Sequence, residues 1–281
     1  MYYTMITVAA LLFSLQFVFN DGFRKENGSS FNASLRFSLY SSVTGMVLLF
    51  IINKFQLDFS WFSLGTALVY SGVCILSGYC SIRALDTANL SVYSVFMMIG
   101  GMLLPFVYGV FCGEDMTIAK YICCALIVLS VAMTGTFGGQ SKKALIYYIA
   151  IFILNGLVGV ISAFHQSHSS LCVNSESFVI LNKIITAVIC CVLILFSKRR
   201  NFIISRKSFA LSAGYSAFNS IGNLLLLIAL IKLPASVQYP IVTGGTIVFA
   251  TVIDLLRKVK VSKKEILAAL IAFGASVLMA F

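Results

Sequence analysis

Acidic residues are scarce in this chain. Asp and Glu number nine in 281 residues: Asp21, Glu26, Asp58, Asp86, Glu114, Asp115, Glu176, Asp254 and Glu265. All of them stand at or beyond the ends of apolar stretches. A carboxylate in mid-membrane is the usual mark of a proton relay, so its absence disfavours a proton-coupled cation exchanger. Charged residues of both signs amount to 10%, against about 25% for a soluble domain. The chain cannot cover a soluble surface. The eight cysteines form no C-x-x-C pair, which argues against zinc or redox chemistry and leaves them as small hydrophobic packing residues. There is no nucleophile elbow, P-loop or H-E-x-x-H, so no enzyme class, metal or cofactor is expected. The two histidines, His165 and His168, share one helical face but have no third ligand near them, and an interfacial polar pair is expected. The N-terminus has neither a basic n-region nor an A-x-A-like cleavage site, and the first apolar stretch reads as a retained helix.

What the chain has instead is apolar length. Sixty per cent of its residues are hydrophobic. Ten stretches run almost end to end, near 2–19, 31–53, 61–82, 90–112, 118–136, 144–164, 177–197, 208–231, 236–256 and 265–281. A hydrocarbon core of about 30 Å needs about 20 apolar helical residues to cross it. In lipid each backbone group must find its partner within the protein, which makes such stretches helices. The short alternating strands of a β-barrel do not appear. The expected fold class is an all-α membrane protein of ten transmembrane helices, with no soluble domain.

The net charge of +11 is not a nucleic-acid footprint, because the basic residues lie between the stretches. Odd-numbered connections carry Arg24, Lys25, Arg83, Lys142, Lys143, Lys198, Arg199, Arg200, Arg206, Lys207, Arg257, Lys258, Lys260, Lys263 and Lys264, which is 15 of the 20 Lys and Arg. Even-numbered connections carry only Lys54, Lys120 and Lys232. Positive residues stay cytoplasmic. The count therefore puts the odd connections inside and both termini outside a cell membrane.

The chain also repeats itself. A shift of 145 residues lays Tyr2-Tyr3 on Tyr147-Tyr148, Ala84-Leu85 on Ala229-Leu230, Ser91-Val92 on Ser236-Val237 and Gly100 on Gly245. The halves are 1–140 and 141–281. Five spans in each half means that the second enters the membrane inverted, a recurrent build of secondary transporters with the site between the halves.

Helices 4 and 9 are partners in this scheme. Each holds a proline, Pro105 or Pro240, and a glycine pair, Gly100-Gly101 or Gly244-Gly245. Proline removes a backbone donor and bends a helix. Helix-interrupting residues in matching segments of two halves point to a substrate site, although paired glycines also serve close packing. Polar groups that could line such a site are Gln16, Tyr93, Ser94, Asn155, Asn223, Gln238, Tyr239 and Thr243, with Ser14 and Asn219 nearby. Arg36 and Lys183 fall inside apolar stretches, where a charge is costly; each either faces a cavity or snorkels to an interface.

Ala84-Leu85, Ser91, Pro105, Gly113-Glu114 and Thr117, with Arg36 early in helix 2, resemble the EamA family of the drug/metabolite transporter superfamily. The resemblance covers the chain as two five-helix repeats. It implies a ten-helix basket around a central cavity, moving a small organic metabolite or drug, and it names no substrate. Two departures stand out. The second half has Arg257 to Ser262 where the first has Gly-Glu-x-x-Thr, and members of the family commonly keep both termini in the cytoplasm. The alternatives are an integral-membrane or lipid-modifying enzyme and a membrane scaffold. Expected partners are a small solute and the lipid bilayer, with no nucleic acid; oligomeric state is open.

Overall fold

A computed structural model describes residues 1–85, 90–114, 117–134, 142–197, 200–258 and 263–278. Among them, ten α-helices follow one another and no strand occurs: α1 Tyr2–Asn27, α2 Phe31–Ile52, α3 Trp61–Leu85, α4 Leu90–Phe111, α5 Ile118–Thr134, α6 Lys142–Ser167, α7 Ser175–Phe196, α8 Arg206–Leu230, α9 Ala235–Leu256 and α10 Lys263–Leu278. Seven of these (α1, α2, α3, α6, α7, α8 and α9) are long and apolar enough to cross a membrane. The apolar runs described in α4, α5 and α10 are shorter: Ile99–Phe111, Ile118–Ser130 and Ile266–Ala275. The chain is a helical membrane protein.

Several helices outrun the apolar stretches. α1 continues through Asn20–Asn27, and α6 extends past residue 164 to Ser167. Hydropathy reads the thickness of the hydrocarbon, whereas a helix ends where its backbone finds a cap. The polar residues of these extra turns cost nothing in the interfacial zone. Arg24 and Lys25 accordingly sit in the last turn of α1 rather than in a loop, where cations favour the negative end of the helix dipole.

The helix starts carry their own stops. Ser30, Asn174 and Ser205 accept from the backbone N–H three residues on, at 3.2, 2.7 and 3.1 Å, satisfying donors that a helix start leaves orphaned. α9 begins after Pro234 and has no side-chain cap of its own. A distant residue supplies it: Glu114 accepts from Ala235 N–H at 3.0 Å and Ser236 N–H at 2.9 Å. A turn with Gly113 at φ +78° delivers that carboxylate, a conformation that favours glycine.

The molecule reverses the soluble arrangement of polar and apolar surface. Val47, Ile51, Val69, Val188, Leu195 and Leu270 point outward and are exposed, while Ser34, Ser41, Ser63, Ser71, Ser130 and Ser177 are buried. Lipid makes the outward apolar face neutral in cost. Small hydroxyl residues inside let helices approach closely. α8 shows this best: Ser208, Ser212, Ser216 and Ser220 recur every fourth residue and are all fully buried. The Ser216 hydroxyl donates to the Ser41 carbonyl of α2.

α1 packs against α8 and α9, and α6 packs against α3 and α4. α2 meets α7 and α8, α3 meets α7, α4 meets α9, and α5 meets α10. Chain connections gather at two ends. At one end the α7–α8 connection meets the start of α2, through Arg36 Nη1 to the Ile203 carbonyl at 2.9 Å and Tyr40 Oη to the Phe202 carbonyl at 2.8 Å. At the other, the α2–α3 and α6–α7 connections join, through Ser60 Oγ to the Leu171 carbonyl at 2.8 Å and Asn174 Nδ2 to Asp58 at 2.6 Å.

Candidate functional site

Eight helices surround a cavity of about 220 Å³. No described residue of α5 or α10 lines it. The lining follows helical spacing on every wall. α3 contributes Tyr70, Cys74, Ser77 and Ser81; α7 contributes Val179, Asn182, Lys183 and Thr186; α8 contributes Tyr215, Asn219, Asn223 and Leu226. Residues three and four apart share a helix face, so α3, α7 and α8 each present one polar strip inward from an otherwise apolar span. Phe13, Phe37, Tyr70, Tyr215 and Tyr239 supply aromatic wall between the polar groups.

A hydrogen-bonded chain crosses the cavity. Lys183 Nζ donates to Asn219 Oδ1 at 3.1 Å, and Asn219 Nδ2 donates to Gln16 Oε1 at 2.8 Å. Asn223 Nδ2 donates to the Asn219 carbonyl at 2.8 Å. α7, α8 and α1 are thereby tied through one amide. On the opposite wall Asn155 Nδ2 donates to the Met97 carbonyl at 2.7 Å, and Tyr239 Oη donates to the Gly159 carbonyl at 3.0 Å. These two contacts join α6 to α4 and to α9.

Of the residues singled out from sequence, Gln16, Gly101, Asn155, Lys183, Asn223, Tyr239 and Thr243 line this cavity together. The side chains of Tyr93 and Ser94 lie outside the described residues. The others stand apart from the lining, each for a visible reason. Arg36 lies in the second turn of α2, close enough to the α7–α8 connection to bond Ile203 there. Gly100 faces α6, where an added Cβ would come within 2.0 Å of the Phe152 carbonyl oxygen. Gly245 faces α1, with Ala10 Cβ at 3.0 Å from an added Cβ, and Gly244 is buried beside it. Pro105 is buried and packs on Gly159, its Cγ at 2.4 Å from an added Cβ there. Pro240 is buried within α9. Gln238 is fully buried and donates from Nε2 to the Leu226 carbonyl at 2.7 Å, tying α9 to α8.

Several lining residues escaped the sequence reading: Asn20, Tyr70, Cys74, Asn182 and Tyr215, with Ser38, Ser41, Ser42, Ser77, Ser81 and Ser162. The available signal was polar residues at helical spacing inside an apolar stretch, as in Tyr70, Cys74, Ser77 and Ser81. Serine is too common as helix glue for single positions to stand out.

The histidine pair does not converge. His165 is fully buried and stacks on Phe178 with ring centroids 3.7 Å apart. Its Nε2 lies 2.9 Å from Ser63 Oγ, and that oxygen accepts from the Val173 N–H at 3.0 Å. His168 instead turns Nδ1 toward the Phe164 carbonyl at 2.8 Å. Among the described residues no group of three or more His, Cys, Asp and Glu side chains comes together.

No family model matches the chain, and no curated protein matches its sequence. Among solved structures 29 chains match. One of them, described only as "Crystal structure of protein", aligns over 99% of this chain and 95% of its own length, with a TM-score of 0.75 at 12% identity. At that identity the likeness is one of fold alone.

Proposed function

We propose that this chain is a multi-pass carrier of the cell membrane that moves a small organic metabolite or drug by alternating access. The observation that carries the reading is the polar cavity enclosed by eight helices of a molecule whose outer surface is apolar. A cavity with amides, hydroxyls and a lysine, buried among membrane helices, has no purpose in a scaffold. Polar and charged groups at membrane depth mark solute pathways.

The helix arrangement supports two inverted halves, 1–140 and 141–281, and ten spans. Exchanging α1 with α6, α2 with α7, α3 with α8, α4 with α9 and α5 with α10 turns the α1–α8 contact into α6–α3. It likewise turns α1–α9 into α6–α4 and α2–α8 into α7–α3. All of these contacts occur. The pairs α2–α7, α4–α9 and α5–α10 map onto themselves. Each half then lends four helices to the cavity, and one from each half stays outside it. Transporters built this way hold the substrate between halves that rock against each other. The EamA-like reading rests on the sequence motifs, and the placement of both termini outside rests on the positive-inside bias of the connections.

A thermal-shift screen of the purified protein against metabolite pools tests the reading. At least one pool is expected to raise the melting temperature of the native protein. The same pool is expected to leave Gly101→Leu unshifted, because leucine there projects beside Asn155 into the cavity. Pools that stabilise neither protein, or both equally, contradict it.

A further inference from the structure

We infer that the cavity selects small carboxylates of net negative charge over neutral and zwitterionic solutes of the same size; this rests on the carrier reading. The inference comes from the charge inventory of the walls. Lys183 is the one charged residue lining the cavity among those described, and no acidic residue lines it. The nearest acid along α1, Asp21, follows the lining residue Asn20 and is already held by Arg24 at 2.8 Å and Lys25 at 2.7 Å. Lys183 forms no ion pair with a described residue and bonds Asn219 through one of its three donors.

Its depth makes this uncompensated charge informative. Lys183 stands eight residues into α7, about 12 Å along the helix at 1.5 Å per residue. A Cβ added to Gly45 of α2 would meet Lys183 Cε at 3.3 Å, and the lysine lines the cavity, where its ammonium bonds Asn219. A charge kept in a membrane interior is paired or serves a solute path. The described lining supplies one positive charge and no negative one, and a bound carboxylate completes the pair. A zwitterion brings an ammonium that no carboxylate on the walls can receive.

The remaining lining sets size and body. The cavity volume of about 220 Å³ limits the solute to a small organic molecule. Hydroxyl and amide residues such as Ser42, Thr186 and Asn182 share the lining with the lysine, so the walls can also bond neutral polar groups of a solute. The ligand class is therefore a small polar carboxylate.

Size-matched probes test this on the full chain in detergent. Lactate is compared with lactamide and alanine, and gluconate with sorbitol and glucosamine, each at millimolar concentration, by thermal shift and calorimetric titration. At least one of the two carboxylates is expected to stabilise the native protein. Its amide, polyol, zwitterionic and cationic congeners are expected to bind about tenfold more weakly or worse, the usual worth of a charge-assisted hydrogen bond. Lys183→Met is expected to lose the carboxylate response, and Lys183→Arg to retain part of it. The inference falls if neither carboxylate binds, if neutral or zwitterionic congeners bind as well, or if Lys183→Met keeps the response. The comparison among probes on the native protein holds even if Lys183→Met fails to fold. Two-sided access to Cys74, described below, is measured without any ligand. If Cys74 is open to both faces and no carboxylate binds, only the anion selectivity fails. If a carboxylate binds and Cys74 is open to one face alone, the carrier reading fails.

Discussion

Two basic residues interrupt apolar stretches, and their surroundings separate them. Arg36 reaches a backbone carbonyl at the end of the helix bundle, while Lys183 reaches an amide inside the cavity. Sequence made them equal candidates, because hydropathy gives position along a helix and says nothing of which side a residue faces. The glycine pairs carry the same lesson. Gly101 lines the cavity, and its neighbour Gly100 meets α6. One residue is 100° of helix turn, enough to move from a site to a seam. Gly100→Ala is expected to lower stability by about 1–3 kcal/mol, because its methyl would press a backbone carbonyl that cannot rotate aside. Gly245→Ala, which meets only the methyl of Ala10, is expected to cost less than about 1 kcal/mol. Thermal unfolding of the two purified variants checks the order, and equal melting temperatures would refute the packing assignment.

At the scale of elements, hydropathy located the helices well, since the bilayer leaves a backbone few other choices. What it missed was how elements are joined. The Gly113-Glu114 pair, read from sequence as part of a family pattern, stands in the connection before α5, yet its carboxylate caps α9. A cap supplied from 121 residues away leaves no local signal. α9 carries Tyr239, Val242 and Thr243 into the cavity, so its N-terminal anchor bears on the site. Glu114→Ala is expected to destabilise the protein by about 1–2 kcal/mol, through two lost N–H acceptors and the lost favourable charge at a helix start. Glu114→Gln keeps one acceptor and is expected to fall between. Denaturation of both variants against the native protein provides the check; a native-like midpoint for Glu114→Ala would show that solvent caps α9 equally well. Prolines 105 and 240 were legible as matched features, but their surroundings were not: Pro105 fills the hollow left by Gly159, a contact between helices far apart in the chain.

For the whole molecule, the reversed polarity was the most legible property. Nine acidic residues and ten apolar stretches dictate a membrane interior before any contact is known. The cavity was legible only in part. It arises from strips on eight helices, and a strip of serines and asparagines in one helix acquires meaning when seven others face it. In the proposed carrier reading the cavity lies between two inverted halves, and rocking of one on the other opens it to each side in turn.

Cys74 offers a native probe of that motion, since its thiol lines the cavity. The other seven cysteines are replaced, and a membrane-impermeant, sulfonate-bearing thiol reagent is applied to intact cells and, separately, to inside-out vesicles. Gln56→Cys in the α2–α3 connection and Asn201→Cys in the α7–α8 connection, both exposed, mark the two faces in a background lacking Cys74. With the termini outside, Gln56→Cys reacts only in intact cells and Asn201→Cys only in inside-out vesicles. Alternating access predicts that Cys74 reacts in both preparations. Reaction of Cys74 from one face alone, or from neither, would contradict a carrier.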